Sequence, residues 1–303
     1  MNIIVQKFGG TSVSTEDRRK QVAIKVKEAI ENGFKPIVVV SAMGRKGQPY
    51  ATDTLLTLID DKFKEANRNS KDLLMCCGEI ISSVVVANAL YNEGIEAVPL
   101  TGGQAGIITD DNFCEAEYIS IDIDRLLSVV REGKVPVVTG FQGITKDGYF
   151  TTLGRGGSDT TACILGNAVK AKEIEIYTDV DGIMTADPRI VEDASLIDEI
   201  TYNEVFQLAD QGAKVIHPKA VDLAKKGNIP LFIKNTLSES KGTLISNDIM
   251  CNERRYITGI TYLNNRIQVR IRLSENSNIK AYQSLLSILA KNHISLDLIN
   301  IFP

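Results

Sequence analysis

The chain has 303 residues, 44% of them hydrophobic and 24% charged, with 34 Lys and Arg against 38 Asp and Glu and a formal net charge of −4. This is the composition of a globular protein and not of a disordered one, and at about 150 residues per domain the length points to two domains. A mildly acidic chain has no field to offset phosphate repulsion, which argues against a general nucleic-acid binder; any anion must be held by a few placed Lys and Arg residues.

The first residues, Met1–Lys7, carry no basic n-region. The longest charge-free apolar stretch, Ile80 to Tyr91, is shorter than the ~20 residues a bilayer needs, so neither a signal peptide nor a membrane span is expected. A strand is predicted over Asn2–Phe8. Val22, Val26, Ala29 and Ile30 then share a helical face, Ser14-x-x-Asp17 offers a capping box and Asn32-Gly33 closes the helix. Pro36–Ala42 contains the continuous run Ile37-Val38-Val39-Val40, expected of a strand covered on both faces. Helices over Asp53–Ala66 and Glu79–Tyr91 precede a strand at Ala97–Thr101. Gly102–Asp124 is less regular and reads as hairpins or loops over a site, followed by a helix at Ile123–Arg131 and a strand at Val135–Phe141. Gly143–Thr152 is again irregular. The rest of this pattern is a helix at Thr160–Val169, a strand at Glu173–Thr178, helices at Tyr202–Asp210 and Pro218–Lys226, and a strand at Ile229–Lys234. Strand and helix alternating in this way predict an α/β fold with a mostly parallel sheet and helices on both faces.

After about Leu244 the texture changes. Ser246–Arg254 is a polar connector; Tyr256–Tyr262 and Arg266–Leu273 alternate like strands, Ile279–Lys291 reads as a helix and Ile294–Ile301 as a strand. The expected division is a large domain over 1–250 and a small βαβ-like unit over 251–303, marginal as an independent fold. The five cysteines (Cys76, Cys77, Cys114, Cys163 and Cys251) include no C-x-x-C pair and no zinc-like spacing with His217 or His293. They read as small buried hydrophobes in a reducing compartment, which predicts a cytoplasmic location, and two histidines exclude a His-rich metal site.

Three segments and two single residues carry chemistry. Lys7-Phe8-Gly9-Gly10-Thr11-Ser12 joins a strand to a helix; its glycines let the backbone aim N–H groups at an anion, and Lys7 can reach a phosphate as a point charge. Neither a P-loop nor a dinucleotide fingerprint is present: in Gly154-Arg155-Gly156-Gly157-Ser158-Asp159 an Asp replaces the last glycine of G-x-G-x-x-G. That stretch, preceded by Thr151-Thr152-Leu153, instead suggests an oxyanion nest with an Arg clamp. Thr178 to Arg189 follows a buried strand and carries Asp179, Asp181 and Asp187, suited to a strand-end site for a nucleotide and its cation; a solvated loop is the plainer alternative. Glu79, after Gly78, could merely favour a helix dipole. Lys214 precedes a second step into a helix, and His217 before Pro218 is read as a packed or capping histidine without chemistry.

Taken in order, Lys7–Ser12, Ser41-Ala42-Met43-Gly44 with Thr52-Asp53, Gly78-Glu79, Thr152–Asp159, Thr178–Arg189 and Gly212–Pro218 resemble the aspartokinases from residue 1 to about 250. The resemblance implies the amino-acid kinase fold, a three-layer αβα sandwich, and transfer of the ATP γ-phosphoryl group to the β-carboxylate of L-aspartate. It implies catalytic roles for Lys7, which bridges the acceptor carboxylate and the transferring group, and Asp159. Glu79 and Asp159 match acids that hold the substrate ammonium, Arg155 the clamp on its α-carboxylate, and Ser41, Thr52 and Ser158 further substrate contacts. Lys7, Phe8, Gly9, Gly10, Thr178, Asp179, Asp181, Met184, Arg189 and Lys214 match the nucleotide site, with ATP as substrate and Mg2+ as its counter-ion. No protein-held metal site is implied. The segment 251–303 resembles the opening part of an ACT regulatory region, through which full-length members commonly form homodimers. A different acceptor (glutamate, carbamate or a nucleotide) is the alternative within the same fold, and a non-catalytic amino-acid sensor the alternative outside enzymes.

Overall fold

A computed structural model describes residues 1–213, 215–247, 257–263, 267, 270, 279–292 and 294. The first half of the chain forms β1 (Ile3–Phe8), α1 (Glu16–Glu31), β2 (Lys35–Val40), α2 (Thr52–Leu55), α3 (Asp61–Ala66), α4 (Arg68–Asn92), β3 (Ala97–Leu100), β4 (Ile107–Thr109), β5 (Tyr118–Ile121), α5 (Asp124–Arg131) and β6 (Val135–Thr139). The second forms β7 (Gln142–Ile144), β8 (Phe150–Thr152), α6 (Gly157–Val169), β9 (Glu173–Thr178), β10 (Glu199–Thr201), α7 (Tyr202–Asp210), α8 (Pro218–Gly227), β11 (Leu231–Asn235), β12 (Thr243–Ser246) and α9 (Ile279–Lys291).

Eight strands build the central sheet in the order β10-β12-β11-β9-β1-β2-β6-β3. All its pairings are parallel except β11 with β12. The unbroken apolar run in β2 follows from two-sided burial. Ile37 and Val39 join one core layer with α5, α6, α7 and α8, while Val38 and Val40 face the other layer with α1 and α4. The result is the expected αβα sandwich. Contacts divide the chain into the units Met1–Tyr262 and Leu263–Pro303. Up to Tyr262 the chain stays with the larger unit: Ile260 N–H donates to the Thr185 carbonyl at 2.8 Å, and Thr258 Oγ1 bonds Glu204. Of the smaller unit, α9 matches the expected helix.

Several local expectations change. Thr15, not Ser14, caps α1, accepting from Arg18 N–H at 3.3 Å, while Ser14 Oγ donates back to the Thr11 carbonyl. The helix expected over Asp53–Ala66 breaks into α2, a 3-10 turn at Leu56–Leu58, and α3, because Asp60 caps a fresh start at Phe63 N–H. α4 begins at Arg68 instead of Glu79; its polar first turns hide the helical period. It is long and apolar enough by length and composition to cross a membrane, but half of that stretch is buried inside the protein. The irregular segments Gly102–Asp124 and Gly143–Thr152 do pair as expected hairpins, β4 with β5 and β7 with β8, and these join in a second sheet, β5-β4-β7-β8, of strands of three or four residues. Residues 257–262 are not a strand; Tyr256, most of Arg266–Leu273 and 295–301 lie outside the described residues.

Candidate active site

β1, β2 and β9 run parallel, so the loops that leave them emerge on one edge of the sheet, the edge where open α/β sheets bind ligands. A cavity of about 330 Å3 opens there, lined by Lys7, Ser41, Thr52, Glu79, Phe141 and the stretch Gly154–Asp159. Every residue expected to meet an acceptor substrate therefore borders one space, although the sequence scatters them from position 7 to 159.

Lys7, the penultimate residue of strand β1, is almost buried and places Nζ 2.6 Å from Asp159 Oδ1, close but off the hydrogen-bonding angle. Asp159 sits in the first turn of α6, whose N-cap Gly156 is left-handed (φ 71°). A Cβ at Gly156 would stand 2.2 Å from that of His217, so glycine is required there by both conformation and space. His217 itself caps α8 through Nδ1, which accepts Lys219 N–H at 3.3 Å, and burial first, then Lys219, hold its pKa down. Arg155 is exposed at the cavity mouth beside the α6 N-terminus, where free helical N–H groups favour an anion.

Glu79 lies in mid-helix, which removes the helix-dipole reading. It is 3% exposed; Oε1 accepts Ala42 N–H at 3.1 Å, while Oε2 is buried without a partner at the cavity wall. Burial pushes its pKa up to about 8, outweighing the backbone N–H groups of Ala42 and of Glu79 itself, which favour the anion. A folded-state value above the unfolded 4.5 means that the native protein binds this proton more tightly. The stabilisation is complete below about pH 4.5 and is lost as pH rises to about 8. Melting curves of Glu79→Gln should lack that decline between pH 5 and 8.5, and the same pH profile in both proteins would show that Glu79 does not carry it.

The nucleotide-side expectations distribute differently. Phe8 is fully buried and stacks on Tyr177, ring centroids 4.8 Å apart at 13°, so its side chain packs the core and only its backbone can face a ligand. Gly9 N–H is already given to the Tyr177 carbonyl at 3.1 Å, which leaves the N–H of Gly10 as the available donor of the pair. Gly10 has to be glycine because a Cβ would lie 2.5 Å from the Ala42 carbonyl. Thr178, the last residue of β9, and Asp179, Asp181, Met184 and Arg189 in the loop after it do not border the cavity. Asp181 accepts from Asn235 and Ser238; Asp179 pairs with Arg45 at 2.6 Å; Met184 bridges Leu196; Arg189 forms a two-pronged pair with Asp187, which holds the Asp187 carboxyl down near 2. Lys214 lies outside the described residues. Among the described residues no group of three or more His, Cys, Asp or Glu is placed to hold a metal, and the four described cysteines are free.

Two participants were not anticipated. Phe141 lines the cavity in a left-handed conformation (φ 70°), its N–H held by Thr161 Oγ1 at 3.0 Å. Asp72 of α4, fully buried, accepts from Thr152 N–H, Thr152 Oγ1 and Cys114 N–H at 2.8 to 2.9 Å, tying the end of β8 in place just before the glycine-rich turn. A lone Asp in the polar run Ser70-Lys71-Asp72 gives no such signal in the sequence.

Residues 2–235 match the model of the amino acid kinase family. The chain is 45% identical to aspartokinase 1 of Bacillus subtilis over 311 aligned positions, covering all of this chain and 76% of the relative. It superposes on the aspartate kinase of Synechocystis with a TM-score of 0.68 at 43% identity, over 80% of this chain and 40% of that one. Against E. coli aspartokinase III, solved in complex with aspartate and ADP, the TM-score is 0.72 at 27% identity over 99% of this chain and 76% of that one. Likeness on this scale, together with the fold just described, means that the chain belongs to the amino acid kinase family and, within it, to the aspartokinases.

Proposed function

We propose that the chain transfers the γ-phosphoryl group of MgATP to the β-carboxylate of L-aspartate, giving 4-phospho-L-aspartate and ADP. The observation that carries this reading is the cavity, where two carboxylates (Glu79 and Asp159), an Arg, a Lys and a helix N-terminus border about 330 Å3, room and charge for one small amino acid with two acidic groups and one ammonium. Glu79 Oε2 and Asp159 receive the ammonium. Arg155 and the first N–H groups of α6 hold the α-carboxylate, with Ser41, Thr52 and Ser158 completing the shell.

The β-carboxylate, with a reference pKa near 3.9, is already ionised at neutral pH, so the reaction needs no general base. One carboxylate oxygen bonds to the γ-phosphorus while the bond to the bridging oxygen breaks and ADP leaves with that electron pair. What the protein must supply is positioning and neutralisation of two approaching anions. Lys7 stands between the acceptor cavity and the glycine turn, where Gly10 N–H faces the phosphates. Mg2+ bound with the nucleotide would supply charge shielding of the polyphosphate. The loop Thr178–Arg189 holds the nucleoside end.

Arg155→Ala is expected to raise the KM for aspartate about 100-fold while changing that for ATP less than threefold, the signature of a lost clamp on one substrate. Equal effects on both substrates, measured by ADP release, would remove Arg155 from the acceptor site.

A further inference from the structure

Arg45 belongs to none of the segments that define the site. Its Nη2 lies 2.6 Å from Asp179 Oδ2, and the two side chains are 72% and 42% exposed. The route between them is informative. β1 is flanked by β2 on one side and β9 on the other. Arg45 sits on the loop after β2, one residue past Gly44, whose N–H donates to the Gly10 carbonyl at 3.0 Å. Asp179 sits on the loop after β9, two residues past Tyr177, whose carbonyl takes the Gly9 N–H. The pair therefore spans the end of β1 at the Gly9-Gly10 turn, where a phosphate would be seated. Ser41 at the start of the same loop and Thr52 at the start of α2, on either side of Arg45, line the acceptor cavity.

On this basis we propose that Arg45 is a further phosphate-binding residue of the reaction: its guanidinium exchanges Asp179 for the polyphosphate of the bound nucleotide. This inference rests on the phosphoryl-transfer reading above. A solvent-exposed ion pair is held by little energy, so it keeps the guanidinium above the turn and yields readily to a polyphosphate, which the planar fork can grip with two parallel N–H bonds. Other described cations beside the turn are already engaged: Lys7 with Asp159, Arg18 with the Thr11 carbonyl and Arg19 with the Val13 carbonyl.

The test compares wild type, Arg45→Ala and Arg45→Lys in ADP release with L-aspartate and in calorimetric binding of MgADP. The expected result for Arg45→Ala is a kcat/KM for ATP lowered about 100-fold, with the aspartate KM within threefold of wild type. Arg45→Lys should recover under a tenth of the loss, because an ammonium lacks the fork, and added guanidinium ion should restore activity to Arg45→Ala but not to wild type. Unchanged ATP kinetics in Arg45→Ala, or a loss confined to aspartate KM, overturns the proposal and leaves the kinase reading standing. Wild type without activity on aspartate overturns that reading instead; Arg45 is then judged by MgADP affinity alone, which must weaken at least tenfold in Arg45→Ala for the assignment to hold.

Discussion

Lys7→Ala is expected to lower turnover about 10³-fold, the scale on which loss of one preorganised cation or donor at a developing charge is felt. Lys7 is a described cation that lines the acceptor cavity and lies two residues from the glycine turn, placed to neutralise carboxylate and phosphoryl oxygens as they approach. The substitution also strips Asp159 of its ion pair at 2.6 Å. Asp159 borders an open cavity, where water can solvate the freed carboxylate, so circular dichroism should remain that of wild type. A coupled assay of ADP release reads the outcome directly, and turnover within tenfold of wild type would remove Lys7 from the centre of the reaction.

The second large effect concerns stability. Asp72→Ala takes away the acceptor of three hydrogen bonds and strands the Thr152 N–H and hydroxyl in a fully buried setting and the Cys114 N–H in a part-buried one. Unsatisfied buried donors cost about 1–3 kcal/mol each, so a loss of about 3 kcal/mol is expected, a fall in Tm of roughly 6–10 °C for a unit of this size. Because Asp72 anchors β8 immediately before Leu153 and Gly154, the damage should also reach the substrate: Asp72→Asn, which retains one acceptor oxygen, should melt between the two and show a raised aspartate KM. Calorimetry with wild-type melting in Asp72→Ala would mean that the β8 end is held by its other bonds.

How much of this was legible beforehand depends on the range of the interaction involved. Strands such as Glu173–Thr178 and helices such as Tyr202–Asp210 match their predicted ranges, because burial on both sheet faces or on one helical stripe writes a local period. The second sheet left no period, since three-residue strands such as Gln142–Ile144 and Phe150–Thr152 are defined by their partner and not by their own alternation. Lys7, Arg155 and Asp159 could be picked out because glycines and charges cluster around them. Asp72 and Phe141 could not: the importance of each comes from residues 20 to 80 positions away. Gly9 illustrates a subtler limit. Its place in a glycine turn is plain in the sequence, but the commitment of its N–H to Tyr177 depends on which strand lies next door.

That neighbour relation has a mechanical consequence. Phe8 is in register with Val40 on one side and Tyr177 on the other, within one continuous parallel ladder. The loops proposed to serve the acceptor and the nucleotide thus leave strands β2 and β9, two strand spacings apart, about 9.6 Å at ordinary strand spacing. No hinge lies between them. The spacing between the bases of these two loops is set by peptide hydrogen bonds, as a ruler is set by its markings, and only the tips of the loops remain adjustable.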